Sequence, residues 1–135
     1  LVKECGGNDT PGIGFAMGLE RLMLAAQKQD SPVWTISPAM EVFVAVADKE
    51  YDRDACLLLD RIRQSGIKAD KDYMDRSLKA QMKYAGKNGA RLVAVIGENE
   101  IKNDRYILRD MKAKEQQEVP TSQIIDRIKS ILVTS

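Results

Sequence analysis

Two continuous apolar runs constrain what this chain can fold into more than any other feature of its sequence. The first is EVFVAVA at residues 41–47, and the second is ARLVAVIG at residues 90–97. Both are rich in β-branched residues and neither alternates with polar residues, which is typical of strands buried on both faces of a parallel sheet. Parallel strands need long crossover connections, so these runs predict an α/β fold.

Amphipathic helices are predicted between the two runs, on either side of a short strand. The segment DKEYDRDACLLLDRIRQSG predicts a helix that ends at Gly66, with an apolar face of Ala55, Leu58, Leu59 and Ile62. IKADKDY reads as a short strand near a sheet edge because of its lysines. SLKAQMKYAGKNG predicts a second helix, with Ser77 or Asp75 as its cap and an apolar face of Leu78, Met82 and Ala85.

The remainder of the chain predicts a hairpin and a closing helix. RYILRDM and EQQEV have strand character and are joined through residues 112–114. Pro120 and Thr121 open a helix whose inward residues are Ile124, Ile125, Ile128 and Leu132. From residue 41 the order is β-α-β-α-β-β-β-α, which predicts a mixed five-stranded sheet with a parallel centre, right-handed crossovers and helices on its faces.

Composition excludes several kinds of site. The chain of 135 residues has no histidine, which rules out histidine triads, histidine proton shuttles and histidine-ligated metals. Cys5 and Cys56 match no metal-ligand spacing and suit a reducing compartment, so no metal site is expected. No apolar run approaches the roughly 20 residues of a membrane span. The net charge of +1 does not indicate a nucleic-acid partner, which must therefore be inferred from local patches.

The stretch PGIGFAMGLERLMLAAQ, residues 11–27, reads as a glycine-rich strand followed by an apolar helix. Its glycines could let a planar or phosphorylated ligand lie against the backbone, with Arg21 clamping a phosphate or stacking on a base. Alternatively, they could mark a strand packed tightly against a neighbouring backbone. The spacing is neither the dinucleotide fingerprint nor the Walker loop, so the residues alone leave both interpretations open.

The longer stretch GGNDTPGIGFAMGLERLMLAAQ resembles motif 3 of the class II aminoacyl-tRNA synthetases, in the form used by the histidyl-tRNA synthetases. In that family the motif is a strand and a helix that close the ATP pocket, and its arginine stacks on adenine and reaches the terminal phosphate. The resemblance implies that Arg21 is the catalytic-site contact to ATP. It also implies that the residues approaching Arg21 bind the same cofactor: Gly14, Phe15 and Gly18.

The downstream half resembles a second part of the same family. SLKAQMKYAGKNGARLVAVIGENEI and YILRDMKAKEQQEVP are similar to the class IIa anticodon-binding domain of histidyl-, threonyl- and prolyl-tRNA synthetases. The resemblance implies a motif 3 remnant of the catalytic domain at residues 1–29 and an anticodon-binding domain at residues 41–135. Residues 30–40 would be a linker, since Pro32 and Pro38 disfavour a helix there.

A basic stripe on the second predicted helix is the first candidate for RNA contacts. Its members have helical spacing: Arg76, Lys79, Lys83 and Lys87. Taken alone, such a stripe could also be an ordinary solvated helix face. The resemblance implies that Lys83 contacts a phosphate or base and that Arg109 contributes from a later strand, with Arg76 and Lys79 as weaker candidates.

The GENE segment after the second apolar run is the other candidate. A base reader needs an acceptor or donor fixed at a strand end, because unpaired anticodon bases present their polar edges. The resemblance implies a glutamate in this role, but Glu98 and Glu100 are equally placed in the sequence. Tyr84 and Tyr106 could stack on bases, or pack as half-buried residues.

Motif 1, motif 2 and the histidine-recognising segment of the family have no counterpart in this chain. The resemblance therefore implies the C-terminal portion of a longer cytoplasmic enzyme, a homodimer through its catalytic domain, that activates histidine with ATP and Mg²⁺ and charges histidine tRNA. One arginine cannot supply that chemistry, so this portion alone is expected to be inactive and to bind no cofactor tightly. Its expected partner is the anticodon loop of histidine tRNA, with neither DNA nor a membrane.

Three other interpretations compete with this one. A regulatory subunit of histidine biosynthesis resembles the catalytic half of these synthetases but lacks the anticodon module. A Rossmann-type nucleotide-binding domain would need a glycine loop after residue 47, where the sequence reads ADKEYDRD. The main alternative is a non-catalytic tRNA-binding or regulatory module descended from a histidyl-tRNA synthetase.

Overall fold

The computed structural model describes residues 2–29 and 40–133. The chain divides into two compact units, residues 1–37 and residues 38–135, which we call the first unit and the sheet unit. The linker predicted at residues 30–40 lies outside the described residues except for Met40. Within the described ranges, no helix has the length and apolar character needed to cross a membrane.

The first unit contains helix α1, Leu19–Lys28, and no strand among its described residues. The glycine-rich strand predicted before α1 is therefore wrong for this structure, because residues 7–18 have no regular secondary structure. A strand satisfies its backbone groups through a neighbouring strand, and the first unit offers none in the residues described. The apolar face of α1 is correspondingly exposed, with Leu22 54% and Met23 53% accessible.

The sheet unit contains five strands and four further helices. They are β1 Val42–Val46, α2 Asp52–Gln64, β2 Ala69–Lys71, α3 Leu78–Lys87, β3 Leu92–Ile96, α4 Glu98–Lys102, β4 Arg105–Asp110, β5 Glu115–Pro120 and α5 Ile124–Val133, with a short 3₁₀ turn at Lys49–Tyr51. The strand order is β2-β1-β3-β4-β5. The first three strands are parallel and the last two pairings are antiparallel, so the predicted mixed five-stranded sheet is confirmed.

The two faces of the sheet are covered differently. On one face, α2 and α5 pack against alternate residues of β1 and β3, and Ile62 of α2 and Ile124 and Ile128 of α5 are fully buried there. On the other, α3 packs against Phe43, Ala45 and Val93. We call this the α3 face. The register pairs Val93 with Arg109 and Val95 with Ile107, so these residues of β4 share the α3 face and remain partly exposed.

Local signals in the sequence explain two of the helix boundaries. Gly66 follows α2 with a φ of +84°, a left-handed conformation that glycine adopts without strain. Ser77 precedes α3, and its side chain accepts a hydrogen bond from the Ala80 amide at 3.4 Å. The GENE segment after β3 begins the short helix α4, Glu98–Lys102.

Candidate functional site

The parallel strands β1 and β3 end side by side, and their connections leave in opposite directions. After β1 the chain crosses to β2, whereas after β3 it turns through α4 to β4 on the other side. Ligands of open α/β sheets bind in the crevice outside the carboxyl ends of strands at such a point. We call this end of the sheet the carboxyl edge.

Glu100 lies at the carboxyl edge. A Cβ atom placed on Gly97 would come within 2.8 Å of the Glu100 Oε2 atom and within 3.1 Å of the Ala47 Cβ atom. The Glu100 carboxylate therefore lies over the start of α4, close to the residue that follows β1. Glu100 is partly buried there, near the ends of both strands.

Glu98 has a different environment, which separates the two glutamates that the sequence left equivalent. Its carboxylate forms an ion pair with Lys102 one turn along α4, and the Glu98 side chain is 59% exposed. Exposed pairs of this kind are weak and leave the side chain mobile. Of the two, Glu100 is therefore the better placed to hold a fixed acceptor.

The lysines of the basic stripe are exposed on α3, and one flank of this helix faces β4. Lys79, Lys83 and Lys87 are all exposed. A Cβ atom on Gly86 would lie 3.6 Å from the Met111 Cε atom, so this side of α3 is directed toward the end of β4. Residues three and seven positions apart share a helix face, which places Lys79 and Lys83 on the same flank. These two lysines therefore border the open part of the α3 face.

Arg109 lies on the α3 face but away from Glu100. It pairs with Val93, three residues before the end of β3, which is roughly 10 Å back along the strand from the carboxyl edge. The structure thus brings Arg109 and Lys83 to one open surface, with Glu100 at its end. A ligand contacting all three must be extended, as a stretch of several nucleotides is.

Arg76 is engaged within the protein, in contrast to the lysines. Its Nη1 atom donates to the Asp72 Oδ1 atom at 2.8 Å, and its guanidinium lies 4.6 Å from the centroid of the Tyr84 ring. Tyr84 in turn packs against Phe43, and Tyr106 is only 7% exposed in the opposite core. Base stacking by Tyr106 is therefore excluded in this structure, while the Arg76 guanidinium is held by Asp72 and the Tyr84 ring.

Sequence patterns missed a set of buried polar residues beneath the carboxyl edge. Lys71 is 3% exposed by its side chain and forms an ion pair with Asp52. Burial disfavours the ammonium form, but the hydrogen bond and charge of Asp52 outweigh it and raise the pKa of Lys71. Gln81 is also buried. The only indication of this in the sequence is its position on the apolar face of α3.

The residues predicted to bind ATP do not form a pocket in the first unit as described. Phe15 is 89% exposed, and a Cβ atom on Gly14 would have no described neighbour within 4 Å. Gly18 immediately precedes α1, and a Cβ atom placed on it would contact only the aliphatic part of the Arg21 side chain. Within the described residues, no cluster of acidic or cysteine side chains could hold a metal ion.

Comparison with known proteins places this surface in a family. The family model of the anticodon binding domain matches residues 41–131. The chain belongs to this family. The match covers the whole sheet of the anticodon binding domain, with the basic stripe, Glu100 and Arg109.

Individual relatives extend the similarity to the first unit. The chain is 46% identical over 134 residues to the histidine–tRNA ligase of Syntrophomonas wolfei, covering 99% of this chain and 32% of that protein. It is 49% identical over 129 residues to that of Pelotomaculum thermopropionicum, covering 96% and 30%. The crystal structure of apo S. aureus histidyl-tRNA synthetase matches with a TM-score of 0.64 and 33% identity, covering 82% of this chain and 28% of that one. The chain thus spans about a third of the length of the curated relatives it matches.

Proposed function

We propose that this chain is the C-terminal, anticodon-reading part of a histidine–tRNA ligase. The similarity to histidine–tRNA ligases along 99% of the chain carries the proposal. Residues 1–29 would be the remnant of motif 3, residues 30–40 the linker and residues 41–135 the anticodon-binding domain. The whole enzyme would be a cytoplasmic homodimer that activates histidine with ATP and Mg²⁺, and Arg21, Gly14, Phe15 and Gly18 would contact ATP only when the rest of its catalytic domain is present.

In this proposal, different residues of the surface bind the phosphates and the base edges of the RNA. Lys79 and Lys83 bind the backbone of the anticodon loop, since an ammonium is attracted to every phosphate. Glu100 accepts a hydrogen bond from a base edge, because a carboxylate is repelled by phosphates and needs a base donor. Arg109 contacts the loop from the open sheet surface between them. Arg76 contributes mainly by shaping the protein, since its guanidinium is already bonded to Asp72.

This assignment of residues to phosphates and base edges predicts different effects for two substitutions. Lys83→Ala is expected to weaken binding of the histidine tRNA anticodon arm to cognate and altered loops alike, and to reduce the salt slope by about one charge. Glu100→Ala is expected to leave the salt slope nearly unchanged and to lower the preference for the cognate loop roughly tenfold, because the donor on the base edge loses its acceptor. Titration of labelled anticodon arms at two salt concentrations measures both effects.

Lys129→Ala provides the matched control, because Lys129 is an exposed lysine on α5, which packs on the opposite face of the sheet. This variant should bind every loop as the wild type does. Equal losses of affinity in Lys129→Ala and Lys83→Ala would show that RNA binding depends only on the net charge of the protein. Tighter binding of all loops by Glu100→Ala would show that the carboxylate merely repels RNA.

A third substitution tests the position of Glu100 rather than its charge. Gly97→Ala should displace the Glu100 carboxylate, because the added Cβ would lie 2.8 Å from its Oε2 atom. Ala47, at 3.1 Å, limits relief in the other direction. We expect discrimination between loops to fall severalfold while the salt slope is unchanged, measured by the same titration. Wild-type discrimination by a folded Gly97→Ala protein would contradict the assignment of Glu100.

The main alternative is a non-catalytic tRNA-binding or regulatory module of the same descent. It predicts the same RNA-binding surface and therefore the same results in the titrations with anticodon arms. The two differ in the longer protein that carries this chain, because only a synthetase transfers histidine to its tRNA. Aminoacylation of histidine tRNA by that longer protein distinguishes them.

A further inference from the structure

Gln81 makes an unusual set of hydrogen bonds at the carboxyl edge. Its Oε1 atom accepts from the Val46 amide at 2.9 Å, and its Nε2 atom donates to the Val46 carbonyl oxygen at 2.9 Å. The same Nε2 atom donates to the Arg76 carbonyl oxygen at 2.6 Å. Since Val46 offers one donor and one acceptor, the orientation of the side-chain amide is fixed by its partners.

The side chain takes the place of a missing strand residue. The pairing of β1 with β2 ends at Val44 and Lys71, whereas β1 continues to Val46. The next amide, that of Ala47, donates to Ile96 on the β3 side, so the backbone groups of Val46 point to the side where β2 has already ended. Gln81 satisfies both groups, each of which would otherwise be a buried, unpaired polar group.

Gln81 also connects the parts of the surface that are proposed to bind RNA. Through Val46 it is joined to the strand end next to Ala47, and Ala47 lies near the Glu100 carboxylate. Through its own backbone it belongs to α3, which carries the basic stripe. Through the Arg76 carbonyl it also holds the loop at residues 72–77, whose Arg76 amide donates to Asp72 at 2.8 Å.

We propose that Gln81 is a positioning residue that sets the distance between Glu100 and the basic stripe of α3. This role rests on the proposed function of the surface as an anticodon reader. Base reading requires the phosphates to be held by the lysines while a base reaches Glu100. If the connection between α3 and the end of β1 is loose, the two contacts no longer form at the same time, although every charged group is still present.

The test uses the full chain with Gln81→Ala and Gln81→Met. In Gln81→Ala, water can enter from the cleft lined by Val46, Ser77 and Gln81 and bond to Val46, so this variant is suited to retain the fold. Gln81→Met keeps the length of the side chain but none of its hydrogen bonds. We expect each folded variant to lose roughly tenfold in preference for the cognate anticodon arm over a base-substituted one. The salt slope and the affinity for the substituted arm should stay at wild-type values.

Ile128→Val is the control for lost stability, because Ile128 is fully buried on the opposite face of the sheet. It should retain wild-type discrimination at a temperature where all variants are folded by circular dichroism. Wild-type discrimination by folded Gln81→Ala would overturn the positioning role, as would an equal loss in Ile128→Val. Absence of discrimination by the wild type itself would instead identify failure of the proposed function, and with it of the role of Gln81.

Discussion

Asp52→Ala is expected to lower the free energy of unfolding of the sheet unit by about 2 kcal/mol, since it leaves the buried ammonium of Lys71 without its ion-pair partner. The charge left behind is Lys71, whose side chain is 3% exposed, and its remaining hydrogen bond is to the Asp72 carbonyl oxygen at 3.1 Å. Urea unfolding monitored by circular dichroism at neutral pH measures the loss.

Lys71→Met is the informative comparison for this pair. Here the group left behind is the Asp52 carboxylate, which is 50% exposed and can be hydrated, while the methionine fills much of the space of the lysine stem. The cost should be about 1 kcal/mol or less. A larger loss for Lys71→Met than for Asp52→Ala would contradict this account. Because the pKa of Lys71 is raised in the fold, the ammonium contributes its full stabilisation below the ordinary pKa of lysine. The contribution is lost as the pH rises through the higher pKa of the folded state.

Asp110→Asn is expected to cost about 2 kcal/mol, within the range for hydrogen bonds to charged groups. The Asp110 Oδ2 atom accepts from the Arg91 Nη2 atom at 2.7 Å, and Oδ1 accepts from the amides of Lys112 and Ala113, each at 2.8 Å. Asparagine can keep the two bonds of the turn between β4 and β5. It cannot keep the charge-assisted bond to Arg91.

The effect of this substitution should depend on pH. Burial alone would raise the pKa of Asp110, but the bonds from Ala113, Lys112 and Arg91 together lower it below its ordinary value of 3.8. The carboxylate therefore stabilises the fold above about pH 3.8, and the contribution is lost as the pH falls through the lower pKa of the folded state. The difference between wild type and Asp110→Asn, measured by urea unfolding at pH 7 and pH 3, should shrink at the lower pH.

Asp126→Asn, an exposed change in the first turn of α5, controls for the loss of a single negative charge. Because a carboxylate near a helix N-terminus contributes only modestly, it should alter the stability by less than about 1 kcal/mol at either pH. A constant difference for Asp110→Asn between pH 7 and pH 3 would show that the Arg91 bond is not the source of the effect.

Much of the fold follows from apolar periodicity, because the sheet unit buries what the sequence makes apolar. The runs at residues 41–47 and 90–97 are the two central strands, and Ile124 and Ile128 face the core as their spacing predicts. The strand predicted before Arg21 did not form, since strand pairing depends on a neighbour that local sequence does not encode. Periodicity describes one element at a time, so it cannot supply such a partner.

The candidate site was less predictable, for a related reason. Lys83 and Lys87 are exposed as their helical spacing suggests, but Glu98 and Glu100 were separated only by their contacts with Lys102 and Gly97. Gln81 gave no chemical signal, because its role depends on β2 ending two residues before β1. Such roles arise from strand register and from residues distant in sequence, which short-range patterns do not contain.

The two edges of the sheet also determine how this unit behaves when it is concentrated. An unpaired strand edge is a template for a strand of another molecule. At one edge, β2 has three residues, and the Arg63 Nε atom already donates to the Ala69 carbonyl oxygen at 2.9 Å. At the other, β5 carries Glu115 and Glu118 and ends at Pro120, which has no amide hydrogen to donate. A further strand would have to displace the arginine or lie against the carboxylates, so the sheet resists edge-to-edge aggregation at both ends.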